Sequence, residues 1–257
     1  MIITFFGSCS REYLNRAPVS FLVEDGDSNL LIDCGSGFIS GMKKANKSAS
    51  DINNVLLTHV HGDHISSIAY FIWYRNFDKK SSDKPLMPLH VYGQKDTIEL
   101  TKFNVSHMYP NKNHLENVIF HEIAPDSKFE CGDLKVTAIK AVHSVPCVGC
   151  TIESNGKKLV YTSDTIPTDE ILPYSQSPDL LIHEGMLLTE NEEFAKKVTH
   201  STGKWAGEVA KKVNAKALAM VHIEPGIFGR ENELVEEARK EYSGFITIPV
   251  EGTIFKI

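Results

Sequence analysis

The chain has 257 residues, 42% hydrophobic and 23% charged, the balance of an ordinary globular protein, which excludes disordered, collagen-like and coiled-coil chains. Lys and Arg number 27 against 33 Asp and Glu, a formal charge of −6. Gripping long nucleic acid, which draws most of its free energy from neutralising phosphates, is therefore not its main business. The first third reads as strands: Ile2 to Phe6, Val19 to Val23 and Leu30 to Asp33 are short apolar runs broken by Gly7, Pro18 and the turn at Asp25-Gly26-Asp27. Phe38 to Asn46 reads as a helix, and Val55 to Thr58 as a short buried strand.

Ile65 to Phe77 carries Ile65, Ile68, Ala69 and Ile72 on one helical face, with Tyr70, Trp73, Tyr74 and Phe77 around the other. One helix is expected there. Its aromatic residues, with Phe71, are too many for one buried stripe, so part is core and the rest forms a dimer contact or stacks a nucleobase. Residues 78–88 read as a loop. Further strands are expected at Leu89 to Tyr92, Val118 to Ile123, Leu134 to Val142, and on either side of Asn155-Gly156, a strong hairpin signal, at Val148 to Glu153 and Lys158 to Thr162. Leu180 to Ile182 and Ala217 to Val221 follow, each leading directly into a histidine, with helices over Ser201 to Val213 and Glu231 to Lys240.

The five cysteines are odd in number and scattered, the pattern of reduced thiols, so a cytoplasmic setting is expected. Cys147-Val148-Gly149-Cys150 has no second cysteine pair to complete a zinc site and reads as packing in a strand. The N-terminus lacks the basic segment and apolar length of a signal peptide, and no run reaches the ~18 apolar residues of a membrane span. No repeat or linker divides the chain, so one domain over 1–257 is expected.

Five of the eleven histidines and two aspartates fall where a strand ends. Thr58-His59-Val60-His61-Gly62-Asp63-His64 is the sharpest case: His59 and His61 project to one side of an extended loop, and Gly62 lets the backbone turn so that Asp63 and His64 face a second point nearby. Four such ligands within six residues suit two adjacent divalent ions. His143, Asp164 and His222 sit at three equivalent strand ends farther along and are the remaining candidate ligands.

This set resembles the metallo-β-lactamase superfamily. With Tyr161-Thr162-Ser163-Asp164-Thr165, His183-Glu184 and His200-Ser201-Thr202 it resembles the ribonuclease Z-like branch over essentially the whole chain. The resemblance implies a four-layer αβ/βα sandwich of the α/β class, with metals at one edge of two facing sheets. It implies that His59, His61 and His143 hold one ion, that Asp63, His64 and His222 hold the other, and that Asp164 bridges them. Two such ions, zinc first with manganese or iron as alternatives, would generate a bridging hydroxide for phosphodiester hydrolysis.

Asp63 would also orient the attacking water, and His200 is the candidate proton donor to the leaving oxygen. It precedes a helix that Ser201 or Thr202 can cap, so His200, Ser201 and Thr202 are candidate phosphate contacts, and the resemblance adds Glu184 as the residue that positions His200. The tRNA-processing members of the branch carry a long Gly/Pro-rich arm between the third and fourth motifs, whereas only twenty residues separate His143 from Asp164 here. Gly185-Met186 also stands where those enzymes usually have Ala-Thr.

Extended nucleic acid is accordingly an unlikely substrate. The chain resembles the compact, armless, homodimeric cyclic-nucleotide phosphodiesterases of phage and bacteria that degrade immune signals (the anti-Pycsar type). The leading expectation is hydrolysis of a cyclic nucleoside 3′,5′-monophosphate by a homodimer. A ribonuclease Z-type endonuclease is second, another hydrolase of the superfamily such as a lactonase is third, and a metal-holding module without catalysis is last.

Overall fold

Alternation of side chains between two buried faces dictates the architecture. In the computed structural model, which describes residues 1–78, 86–110 and 115–257, the chain lays down β1 (Ile2–Gly7), β2 (Ser20–Asp25), β3 (Ser28–Ile32), β4 (Asn54–Leu56), β5 (Leu89–Gly93) and β6 (Val118–Glu122). It then forms β7 (Lys128–Cys131), β8 (Leu134–Lys140), β9 (Val148–Ser154), β10 (Lys157–Tyr161), β11 (Leu180–Glu184), β12 (Ala217–Val221) and β13 (Phe245–Thr247), and closes with β14 (Ile254–Lys256). One sheet runs β14-β1-β2-β3-β4-β5-β6 and the other β13-β12-β11-β10-β9-β8-β7.

Successive residues of each strand serve different cores. Phe5, Leu30, Ile32, Ile152, Tyr161, Ile182, Ala219 and Val221 fill the space between the sheets. Their neighbours Phe6 and Leu31 face the helices α1 (Phe38–Lys44), α3 (Ile68–Arg75) and α4 (Lys95–Met108), with the short α2 (Gly62–Ile65) beside them. On the other side Val160, Leu181, Leu218 and Met220 pack under α6 (Gly203–Lys212) and α7 (Glu231–Glu241), with α5 (Glu192–Val198) at the margin. This is the expected four-layer sandwich.

Three departures from the sequence reading have physical causes. The helix expected over Ile65 to Phe77 is broken at Ser66-Ser67, because Cys34 accepts the Ser67 N–H at 2.9 Å and donates to the His64 carbonyl at 2.6 Å, drawing the backbone toward the end of β3. The helix α4 carries no strong apolar period, since two of its four buried positions are Thr97 and Thr101. The strands β7, β13 and β14 have only three or four residues each, too short to show alternation.

Of the aromatic group, Phe71 is buried against Phe38, while Trp73 stacks on Tyr109 at 5.5 Å and Tyr70 on Tyr74 at 5.8 Å. The loop expected at 78–88 lies partly outside the described residues. The five cysteines are free and buried. Among the described residues, no helix is long and apolar enough to cross a membrane.

Candidate metal centre

The strands β3 and β4 run parallel, as do β10, β11 and β12, and β8 points the same way as β10 because β9 is antiparallel to both. The loops after β4, β8, β10 and β12 therefore open at one edge, where ligands of open α/β sheets collect. They bring together all seven residues singled out above. Ligand atoms of His59, His61, His143 and Asp164 lie within 4.8 Å of one another, and so do those of Asp63, His64, Asp164 and His222. Asp164 belongs to both groups.

The spacings within each group fit a cation. His61 Nδ1 is 3.1 Å from both His59 Nε2 and His143 Nε2, and Asp164 Oδ2 is 3.6 Å from His59 Nε2. In the second group Asp164 Oδ2 lies 3.3 Å from His64 Nε2 and 3.1 Å from His222 Nε2, and Asp63 Oδ2 lies 3.4 and 3.2 Å from the same two nitrogens. A tetrahedral zinc with bonds of about 2.05 Å has ligand–ligand edges of about 3.3 Å. Both Asp164 oxygens and His64 Nε2 are buried without an aligned hydrogen bond, so they point at a shared position rather than at each other.

Electrostatics divides the histidines. Burial holds His59, His61 and His143 below the usual histidine value, leaving neutral rings with free lone pairs. Burial also opposes charge on His64 and His222, but Asp164 outweighs it in both, aided by Asp33 at His64 and by Asp63 at His222, so His64 is raised and His222 is pushed up to about 10. The same contacts overcome the burial of Asp164 and Asp63 and hold both carboxyls below their ordinary value.

The rings of His59, His64 and His143 are each oriented by a hydrogen bond from Nδ1. His64 Nδ1 donates to Asp33 Oδ2 at 2.8 Å, and His143 Nδ1 to the Thr199 carbonyl at 3.1 Å. Thr58 donates its hydroxyl to Asp33 Oδ2 at 2.9 Å and its N–H to Oδ1 at 2.8 Å, and its oxygen accepts from His59 Nδ1 at 3.0 Å. Asp33 thus steadies one ring in each group, directly or through Thr58.

The sequence marks Asp33 only as the end of a strand. The signal it offers is that it ends an apolar strand as Asp164 does. Cys147, expected to pack in a strand, packs behind the site: its sulfur is 3.6 Å from His59 Nδ1 and 3.3 Å from Ser163 Oγ. Gly35 has a comparable structural duty, since a Cβ there would sit 1.8 Å from the Asp63 carbonyl oxygen.

His200 is 9% exposed and stacks on His222 with ring centres 4.8 Å apart. Its Nδ1 donates to Glu184 Oε1 at 3.0 Å, which leaves Nε2 for the site. Glu184 also accepts the N–H groups of Thr165 at 2.6 Å and Ser201 at 2.9 Å. Two of the three residues expected to touch phosphate are committed elsewhere. Ser201 is fully buried with its hydroxyl on the Thr165 carbonyl at 2.6 Å, and Thr202, also fully buried, caps α6 by accepting the Trp205 N–H.

The sequence profile described as beta-lactamase superfamily domain matches residues 28–223, which contain every residue of both groups. The chain belongs to the beta-lactamase superfamily. Among the superfamily's members it is 28% identical over 245 residues to the probable metallo-hydrolase YhfI of Bacillus subtilis, covering 94% of this chain and 93% of that protein. It is 24% identical to ribonuclease Z of Halorubrum lacusprofundi over 309 aligned positions, covering 99% and 96%.

The crystal structure of YhfI superposes with a TM-score of 0.85 over 99% of both chains at 26% identity. The short form of human tRNase Z gives 0.82 over 100% and 99% at 21% identity, a likeness of fold. This beta-lactamase superfamily chain is a hydrolase with the metallo-β-lactamase fold.

Proposed function

We propose that this protein is a binuclear metal-dependent phosphodiesterase whose substrate is a cyclic nucleoside 3′,5′-monophosphate. The observation that carries the reading is the pair of ligand groups sharing Asp164, with the His200–Glu184 pair stacked against one member of the second group. Divalent ions held by the two groups would supply an activated water near neutral pH and charge stabilisation for the phosphoryl oxygens.

The chain's own residues account for the rest of the reaction. The Asp63 carboxylate, 26% exposed while the His64 side chain is fully buried, faces the opening and orients the water. As the water oxygen bonds to phosphorus and the bond to O3′ breaks, His200 Nε2 delivers a proton to O3′. Glu184 keeps Nδ1 as donor, so that the other nitrogen carries the mobile proton. The product is a nucleoside 5′-monophosphate.

A small substrate is supported by what the chain lacks. The match to ribonuclease Z spans 309 aligned positions against 257 residues here, so that relative carries inserted segments. Between His143 and Asp164 this chain has β9, the Asn155-Gly156 turn and β10. A formal charge of −6 disfavours a long polyanion as substrate.

The likeness to ribonuclease Z over almost the whole of both chains favours a second reading, cleavage of tRNA 3′ ends. Turnover of cyclic mononucleotides and of precursor tRNA, measured side by side with zinc or manganese supplied, separates the two. Cleavage of the tRNA alone would overturn the first reading.

A further inference from the structure

A cavity of about 450 Å³ opens beside His143, within the size range of small-ligand pockets. Its walls are apolar at Pro125, Val142, Val145 and Pro146, and Gln94, at the end of β5, closes one side. The Gln94 Oε1 atom is buried and has no hydrogen-bond partner, although an unpaired buried acceptor costs free energy. A larger hollow of about 510 Å³ lies over the Asn155-Gly156 hairpin, but that is the end of β9 and β10 opposite the ligands.

We infer that the cavity beside His143 is the subsite for the nucleobase of the substrate, with the Gln94 carboxamide turning from its unpaired buried position into the cavity to read the edge of the base. This rests on the phosphodiesterase reading above. His143 belongs to the first ligand group and also lines the cavity, and its ring packs edge-on against His200 with centres 4.9 Å apart, so a diester seated over these two side chains sets its nucleoside at the cavity mouth. The proline and valine walls suit the faces of a flat ring. A carboxamide offers adjacent acceptor and donor atoms, the pairing that glutamine makes with base edges. Lys140 at the rim is paired with Glu170 at 3.4 Å and takes no part.

The test begins with wild-type protein loaded with zinc or manganese and assayed on cyclic mononucleotides. Calorimetry then compares binding of a nucleoside 5′-monophosphate with that of ribose 5-phosphate, which has a hydroxyl in place of the base. The nucleotide should bind at least about tenfold more tightly in the wild type. That preference should largely vanish in Gln94→Leu, which removes the polar edge, and in Val145→Trp, which fills the cavity. Metal content and circular dichroism identify a variant that has failed to fold.

Equal binding of the two ligands by an active wild type, or a preference kept by both folded variants, would overturn the subsite and leave the phosphodiesterase reading standing. Absence of cyclic-nucleotide turnover by the loaded wild type would overturn that reading, and the subsite with it, with no variant needed.

Discussion

His200 donates its Nδ1 hydrogen to Glu184 across 3.0 Å, and Glu184 is itself fixed by the Thr165 and Ser201 N–H groups. The imidazole therefore has one nitrogen assigned to orientation, and the proposed mechanism gives the other the proton transfer. His200→Ala should lower kcat by roughly 10²–10⁴-fold while both metals stay bound. Glu184→Gln should lower kcat in wild-type protein and add little in the His200→Ala background, because it acts through that ring. Steady-state kinetics with metal analysis checks both, and an unchanged rate in His200→Ala would assign proton delivery elsewhere.

Asp164 is the one carboxylate common to both ligand groups. Asp164→Ala should abolish turnover and reduce bound metal by at least one equivalent per chain. Full occupancy with normal rates would remove Asp164 from the shared position.

Asp33 holds His64 directly and His59 through Thr58. Asp33→Ala should weaken metal binding by about 10–100-fold, in the range seen when outer partners of ligands are lost. Thr58→Val should have a smaller effect, confined to the His59 group. Competition with a chromophoric chelator gives the affinities. Wild-type affinity in Asp33→Ala would show that packing alone orients the rings.

The metal-free protein should carry protons on both His64 and His222 at neutral pH, since neighbouring carboxylates raise them. Metal can bind only when those protons leave, so affinity should rise with pH and uptake should release protons. For the metal-free fold the sign is opposite. The stabilisation from the His222 contacts is complete below the ordinary value of 6.5 and is lost as pH climbs through about 10. Calorimetry in buffers of different ionisation enthalpy measures the release, and a buffer-independent heat would contradict it.

Residue type and position make the ligands legible in the sequence. Histidine directly after an apolar strand has no packing purpose, so His59, His143 and His222 stand out. The unbroken apolar runs in β2, β3 and β10 likewise reveal two-faced burial. Asp33 and Thr58 are harder to see, because an aspartate or threonine at a strand end is ordinary turn chemistry until its partners are known. Ser201 is misplaced by sequence because either hydroxyl near a helix start can cap it, and only tertiary contact with Thr165 decides which does.

The ligands divide by sheet. His59, His61, Asp63 and His64 follow β4 in one, and His143, Asp164 and His222 follow β8, β10 and β12 in the other. Any cation seated among them is a cross-tie between the two halves of the sandwich, so folding and metal supply are thermodynamically linked. A chain starved of metal keeps its hydrophobic interior but loses the fastening along one seam. The first loosening on chelation then belongs at the catalytic rim rather than among the outer helices.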